Sequence, residues 1–405
     1  MLSWLAPILV FGLVVLVHEL GHFMAAKWLG VYAPRFSIGF GPALWRRRLG
    51  ETEYVLSALP LGGFVRMASR EDEATAFLEG GSEQPKAATV PAVGASSSPT
   101  ITGEHHAVEA RSADWDPEAM VPFGPKPVPE DRWFESKPLW GRLIIMLAGV
   151  TMNAILALVV STGLFVGYGR AYIPAVVDSV VAGRPAERAG LEKGDSIIAV
   201  NGAPVRRWTE VTERVSVSAG QEVALDVIRG GRTVTIRVTP ELRNDTTDFG
   251  TLEQVGRIGA ASTGNIARES MSLGESAVAG WHATWGMGTA VIRVVGGLIS
   301  GKVSVSQLGG PITIGRVSVE AARSGFEALW SLIAFLSINV AVLNLLPIPI
   351  LDGGQILINA AEGIKGSAFS ARTREYIMRA GLVAIALLFA LVMFNDVKGL
   401  VGLFR

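Results

Sequence analysis

The chain has 405 residues, of which 49% are hydrophobic and 18% charged, and its formal net charge is zero. So few charges argue against a wholly soluble protein, and the balanced charge gives no bulk field for nucleic acid or an acidic partner. Cysteine is absent, which excludes disulfides and thiolate metal sites and leaves His, Asp, Glu or other oxygen ligands for any metal. The histidines number five: His18, His22, His105, His106 and His282.

The first apolar run, 4–29, is long, lacks a basic start and carries His18-Glu19-Leu20-Gly21-His22. It predicts a membrane-spanning helix rather than a cleaved leader. Residues 36–67 follow as short β-like stretches broken by glycines, with Trp45 and Arg46-Arg47-Arg48 between them. Such backbone is tolerated at membrane depth only against protein or a wet cavity, so re-entrant hairpins lining a cavity are expected. Residues 68–137 read as a flexible cytoplasmic linker. Its 85–100 stretch lacks any core-forming periodicity, and the His105-His106 pair is expected to be solvated.

A second spanning helix is predicted over 143–168. Beyond it, Val223, Leu225 and Val227 alternate, as do Val234, Ile236 and Val238, and Arg229-Gly230-Gly231-Arg232 joins them as a hairpin. Before these come Pro185-Ala186-Glu187-Arg188-Ala189-Gly190-Leu191 and then Gly194-Asp195-Ser196 leading to Asn201-Gly202. This run closely resembles a PDZ signature, which implies a small β domain, here 170–245, able to add a peptide strand to a sheet edge. Segment 246–326 reads as amphipathic or connecting, with a glycine-rich helical stretch at 287–300. Two more spanning segments are expected at 328–351, interrupted by Asn339, Asn344, Pro347 and Pro349, and at 377–394.

The fold class expected is therefore a polytopic α-helical membrane protein. It has about four transmembrane helices with re-entrant β-like segments, plus one extracytoplasmic PDZ domain. The division is 1–67, 68–137, 138–169, 170–245, 246–326 and 327–405. Lys27, Arg35, Arg46–Arg48 and Arg142 on one connection, and Lys365, Arg372, Arg374 and Arg379 on another, place both connections in the cytoplasm. Both termini and the 170–245 domain then lie outside.

On a helix, His18 and His22 fall one turn apart on one face and can hold one metal, with Glu19 beside it as general base. An acid between two histidines inside an apolar run is costly and marks function more often than packing. A catalytic site needs a third protein ligand and an open position. Apolar segments supply few carboxylates, and Asp352 stands out at the end of Asn344-Leu345-Leu346-Pro347-Ile348-Pro349-Ile350-Leu351-Asp352-Gly353-Gly354. The prolines break the helix and Gly353 and Gly354 permit close backbone approach. The plainer reading of Asp352 is an exposed acid at a helix end with a glycine cap.

Taken together, these motifs resemble the site-2 protease family of intramembrane zinc metalloproteases, in its bacterial RseP-like (regulator of sigma-E protease) form, over nearly the whole chain except the linker. The resemblance implies Zn2+ held by His18, His22 and Asp352, Glu19 as the catalytic acid and base, and Asn344 against the substrate backbone or the oxyanion. It implies that Gly62, Gly63, Phe64, Val65, Arg66 and Met67 form a β-loop that pairs with substrate, and that 36–42 is a re-entrant glycine motif. Asn153, Pro347, Pro349 and Gly353 are expected to support the site. The implied partners are single-pass membrane proteins, such as anti-sigma factors or remnant signal peptides, and the lipid bilayer of the bacterial inner membrane. A PDZ peptide ligand is possible, and nucleic acid is not expected. Two departures stand out: Gly149-Val150-Thr151-Met152-Asn153 lacks the family's proline before Asn153, and one PDZ stands where well-known relatives have two. The rival readings are a non-catalytic membrane PDZ scaffold, which need not hold stoichiometric zinc, and a metal transporter, which should show internal repeats.

Overall fold

The computed structural model describes residues 3–69, 116, 118–124, 126–246, 252–262 and 266–403. The 85–100 stretch and the His105-His106 pair lie outside the described residues. Two compact units emerge: Met1–Leu158 with Met287–Val291 and Leu308–Arg405, and Val159–Gly286 with Ile292–Gln307.

The first element is α1 (Ala6–Trp28), opened by Pro7, whose fixed φ suits a first helical turn. Its buried positions Val10, Val14, His18, Gly21, His22 and Ala25 recur every three or four residues, so one seam faces protein along the whole helix. The apolar part of that seam, Val10 and Val14, packs on Ile333 and Leu336. After a short turn the chain forms β1 (Arg35–Leu49) and β2 (Thr52–Arg66). These two strands are longer than the short re-entrant pieces expected from the sequence, and they fold back as four runs. Residues 45–49 pair with 52–56, and 35–38 lie between 53–56 and 63–66. Gly39 and Gly41, both at positive φ near +87°, and Gly62 at +129°, provide the bends that make this possible. The sheet sits on α1 through Phe23, Ala33, Phe36 and Val65, with the Phe23 and Phe36 rings 5.2 Å apart.

Glu51, at the hairpin turn, ties these parts together. It accepts from Lys27 at the end of α1 (2.5 Å) and from both terminal nitrogens of Arg132 (2.7 and 2.8 Å). The Arg132 hydrogen bonds, aided by Lys27 and opposed by burial, hold its carboxyl at about 2, below its ordinary 4.5. A carboxylate depressed in the folded state contributes stability above its unfolded pKa and loses it as pH falls through the folded value. Glu51→Gln should therefore lower the melting temperature of the detergent-solubilised chain at pH 7. The gap from wild type should shrink between pH 4.5 and 2; an equal gap at both ends would refute the assignment.

Next in the chain are α2 (Leu139–Tyr168), β3 (Arg170–Tyr172), β4 (Ser179–Val180), α3 (Pro185–Arg188), β5 (Ser196–Val200), β6 (Ala203–Pro204) and α4 (Trp208–Ser216). Then come β7 (Val223–Arg229), β8 (Arg232–Val238), β9 (Glu241–Thr246), β10 (Leu252–Arg257), β11 (Ala260–Ala261), β12 (Ala267–Glu269) and α5 (Leu273–Ile299). The alternating residues read from the sequence form the antiparallel β7–β8 hairpin, in a four-stranded sheet ordered β6-β5-β7-β8. Val223, Leu225, Val227, Ile236 and Val238 fill its core together with Val177, Leu191 and Ile197. Strand pairing continues past residue 245, because β11 returns to β4 and β12 to β3. Parts of the 246–326 segment thus pair with strands that precede residue 245. Their sequence signal is weak because two- and three-residue strands carry no period.

The chain ends with α6 (Pro311–Ser324), α7 (Phe326–Asn344), α8 (Asp352–Lys365) and α9 (Ala371–Leu403). Buried Asp396 of α9 accepts from the Gly310 and Ile312 amides (2.8 and 2.9 Å) and the Thr313 hydroxyl (2.6 Å), satisfying a carboxylate that would otherwise be costly to bury. Among the described residues, four helices are long and apolar enough to cross a membrane: Ser3–Trp28, Leu139–Tyr168, Phe326–Asn344 and Arg372–Gly399. The protein is a multi-pass membrane protein. The third span stops seven residues before the apolar run does. Pro347 and Pro349 cannot donate to a helix, so residues 345–351 form turns and a new helix starts at Asp352.

Candidate metal centre

The α1 seam carries His18 and His22 to the interior, where both are less than a tenth exposed. Asp352 reaches them from the first turn of α8. Its position there depends on two glycines. A Cβ on Gly353 would lie 2.3 Å from the Leu345 carbonyl oxygen, and one on Gly354 would lie 2.1 Å from that of Ile348. Only glycine lets α8 begin so tightly against the Pro347–Pro349 turn, and Gln355 fastens the turn by donating to the Pro349 carbonyl (3.0 Å). Asp352 is thus at a helix start, not the glycine-capped end that the sequence also allowed.

The three side chains converge. His18 Nε2 lies 3.2 Å from Asp352 Oδ2, His22 Nε2 lies 3.5 Å from the same oxygen, and the two Nε2 atoms are 3.2 Å apart. His22 Nδ1–H donates to the Ile145 carbonyl of α2 at 2.8 Å, which leaves a lone pair on Nε2. Asn153, fully buried on α2, lies 3.4 Å from His18 Nδ1 through its amide nitrogen, while its Oδ1 has no partner. Turning the amide over lets Oδ1 accept from His18 Nδ1–H and frees the second Nε2 in the same way. Asp352 Oδ2 is itself buried without a hydrogen-bond donor. Three lone-pair atoms facing one another at these distances repel unless a cation lies among them. A tetrahedral ion with bonds of about 2.0–2.1 Å has ligand–ligand edges of about 3.3–3.4 Å. The triangle matches, so the residues fit the metal that the sequence implied. Among the described residues, these three make the one group able to hold an ion.

The remaining expected residues gather around this triangle. Asn344, the last residue of α7, points Nδ2 to within 3.2 Å of His18 Nε2. Glu19 sits beside the edge run of the sheet: a Cβ on Gly63 would lie 3.3 Å from Glu19 Cγ, and the Val65 backbone N–H donates towards its carboxylate. Residues 63–66 pair with 35–38 on one side, and no strand pairs on the other among the described residues. Gly62 is held at the bend against Phe40, and Met67 lies just beyond the strand, packed with the α1 clusters.

Two residues went unnoticed in the sequence as parts of this centre. A Cβ on Gly149 of α2 would fall 2.3 Å from His22 Nε2, and one on Gly21 would fall 2.4 Å from the Ala148 carbonyl oxygen. The α1–α2 crossing occurs at the ligands themselves, and two hydrogen atoms in place of side chains make room for the imidazoles. The available signal was a glycine on each of two apolar helices, the usual mark of close approach in membranes.

The model of peptidase family M50 matches residues 6–388. This chain belongs to peptidase family M50. Among its M50 relatives, the zinc metalloprotease RasP of Bacillus licheniformis is 31% identical over 426 residues, covering 98% of this chain and 99% of the relative. The regulator of sigma-W protease RasP of Bacillus subtilis is 30% identical, covering 98% of both chains. The protein Atu1380 of Agrobacterium fabrum, assigned as a zinc metalloprotease, is 31% identical, covering 98% of this chain and 95% of the relative. The M50 chain described here is accordingly a membrane-embedded metalloprotease.

Proposed function

We propose that this chain is an intramembrane zinc metalloendopeptidase that cuts the transmembrane segments of single-pass membrane proteins. The observation that carries the reading is the convergence of three lone-pair ligands, with Glu19 one residue from the first, on a helix apolar enough to span a bilayer. His18, His22 and Asp352 would hold the zinc, which when bound supplies Lewis acidity and lowers the pKa of a water towards neutrality. Glu19 takes the proton of the attacking water and passes it to the departing amine. Asn344 Nδ2, already beside the ligand triangle, donates to the oxyanion that develops on the scissile carbonyl.

A helical substrate keeps its carbonyls in hydrogen bonds and must open before it is cut. Among the described residues the edge run 63–66 has a strand on one side only, next to Glu19, so a locally extended substrate can replace its lost hydrogen bonds by pairing there. Gly63 cannot test this idea, because any Cβ there would strike the Ser37 carbonyl oxygen at 2.7 Å. Arg66→Pro is the cleaner variant: a proline there disrupts the run that would pair with substrate without adding a side chain against Ser37. Cleavage of a single-pass substrate in detergent should fall roughly 10- to 100-fold with zinc content unchanged, in keeping with the loss of a transition-state-orienting contact. Unchanged cleavage would end the strand-addition reading.

The 170–245 region is read as a PDZ domain outside the membrane that admits substrates already trimmed there, or binds a peptide terminus. Anti-sigma factors or remnant signal peptides are the substrate types in view, and the Bacillus subtilis relative is named as a regulator of sigma-W protease. The basic connections support an active site towards the cytoplasmic side of the inner membrane, with both termini outside. The deciding experiment is cleavage of a single-pass membrane substrate by purified wild type and Glu19→Gln, with zinc measured in both.

A further inference from the structure

Three positions on α2 reach the metal centre, and they share one face of the helix. Asn153 faces His18, Gly149 clears space for both imidazoles, and the Ile145 carbonyl orients His22. The spacing continues to Arg142, three residues before Ile145, which touches no ligand. Its NH1 donates to Asn359 Oδ1 at 2.8 Å. Asn359 lies on α8, seven residues and two turns after Asp352, on the same face. It is 3% exposed and donates its own amide to the Gln355 carbonyl at 2.9 Å. A Cβ on Gly363 would lie 2.5 Å from Leu139 Cδ2, so the two helices meet closely one turn further on.

The α8 helix does not span a membrane by itself, and the lipid cannot set its height. Its start is held by the Pro347–Pro349 turn, and its far end by Glu362, which pairs with Arg374 at the start of α9. Neither contact refers Asp352 to the helix that orients the two histidines. The Arg142–Asn359 bond does. We infer that Arg142 is a positioning residue for the metal centre: through Asn359 it fixes α8 against α2, so that one face of α2 sets all three ligands. This inference rests on the zinc reading above.

The test uses the full chain in detergent, stripped of metal and titrated with Zn2+ against a chelator of known affinity, alongside the melting temperature of each metal-free protein. Arg142→Ala and Asn359→Ala should each weaken zinc binding about 10-fold, in the range seen for residues that orient metal ligands. The double variant should be no weaker than either single one, as expected for two halves of one contact. Asn359→Asp, which keeps an acceptor for the guanidinium, should restore affinity. Melting temperatures without metal should change much less than affinity. Unchanged zinc affinity in Arg142→Ala, additive losses, or a metal-free destabilisation with affinity intact would each overturn the inference. A wild-type chain that binds no zinc would instead overturn the metal reading on which it stands.

Discussion

Glu19→Gln should leave zinc stoichiometric and reduce cleavage of a single-pass substrate by about 10³-fold, within the range for a general acid–base group. The substitution keeps size and hydrogen bonding but removes the ability to accept a proton. Glu19 follows His18 directly, yet the helical turn separates it from the ligand triangle, and it rests instead against Gly63 and Val65 of the sheet. Metal affinity should therefore be nearly unaffected. The expected pattern is a fall in kcat with KM little changed, since the contact is needed when the proton moves rather than when substrate docks. If zinc is lost together with activity, Glu19 is holding the site rather than working in it. If activity persists, the proton leaves by another group.

Gly149→Ala should remove zinc almost completely and activity with it, by more than about 100-fold, because its Cβ would overlap the coordinating edge of His22 at 2.3 Å and crowd His18 Cε1 at 2.8 Å. Neither imidazole can retreat, since His22 is tied to the Ile145 carbonyl and His18 faces Asn153. Gly163→Ala is the matched control on the same helix, where a Cβ meets nothing within 4 Å. It should bind zinc and cleave as wild type does. The comparison separates a local clash from any general effect of alanine in α2. Equal zinc content in the two variants would mean that α1 and α2 do not cross at the ligands.

The parts of this site that could be read from the sequence are those that break a physical rule locally. An acid between two histidines in an apolar helix is such a break, and so is Asp352 after two prolines and before two glycines. The four spanning helices were legible because hydrophobic length needs no tertiary information. The sheet was only partly legible. Strands were expected within 36–67, but the return of 63–66 to the far side of 35–38 depends on positive-φ glycines and on packing against Phe23. Gly149 and Gly21 were silent because a glycine in an apolar helix has many uses until its neighbour is known. The third span ends at Asn344, within the stretch where Asn344, Pro347 and Pro349 were expected to interrupt the apolar run. The pairing of β11 and β12 was not legible for a different reason: they are two and three residues long and owe their existence to the partners β4 and β3.

The central proposition is that one ion is shared by α1 and α8. Zinc X-ray absorption on the purified full chain tests it most directly. The expected spectrum shows one zinc per chain with two imidazole nitrogens and oxygen donors at about 2.0–2.1 Å, and Asp352→Ala should lose most of the metal. Zinc without imidazole scattering, or zinc retained undiminished in both Asp352→Ala and His18→Ala, would contradict it.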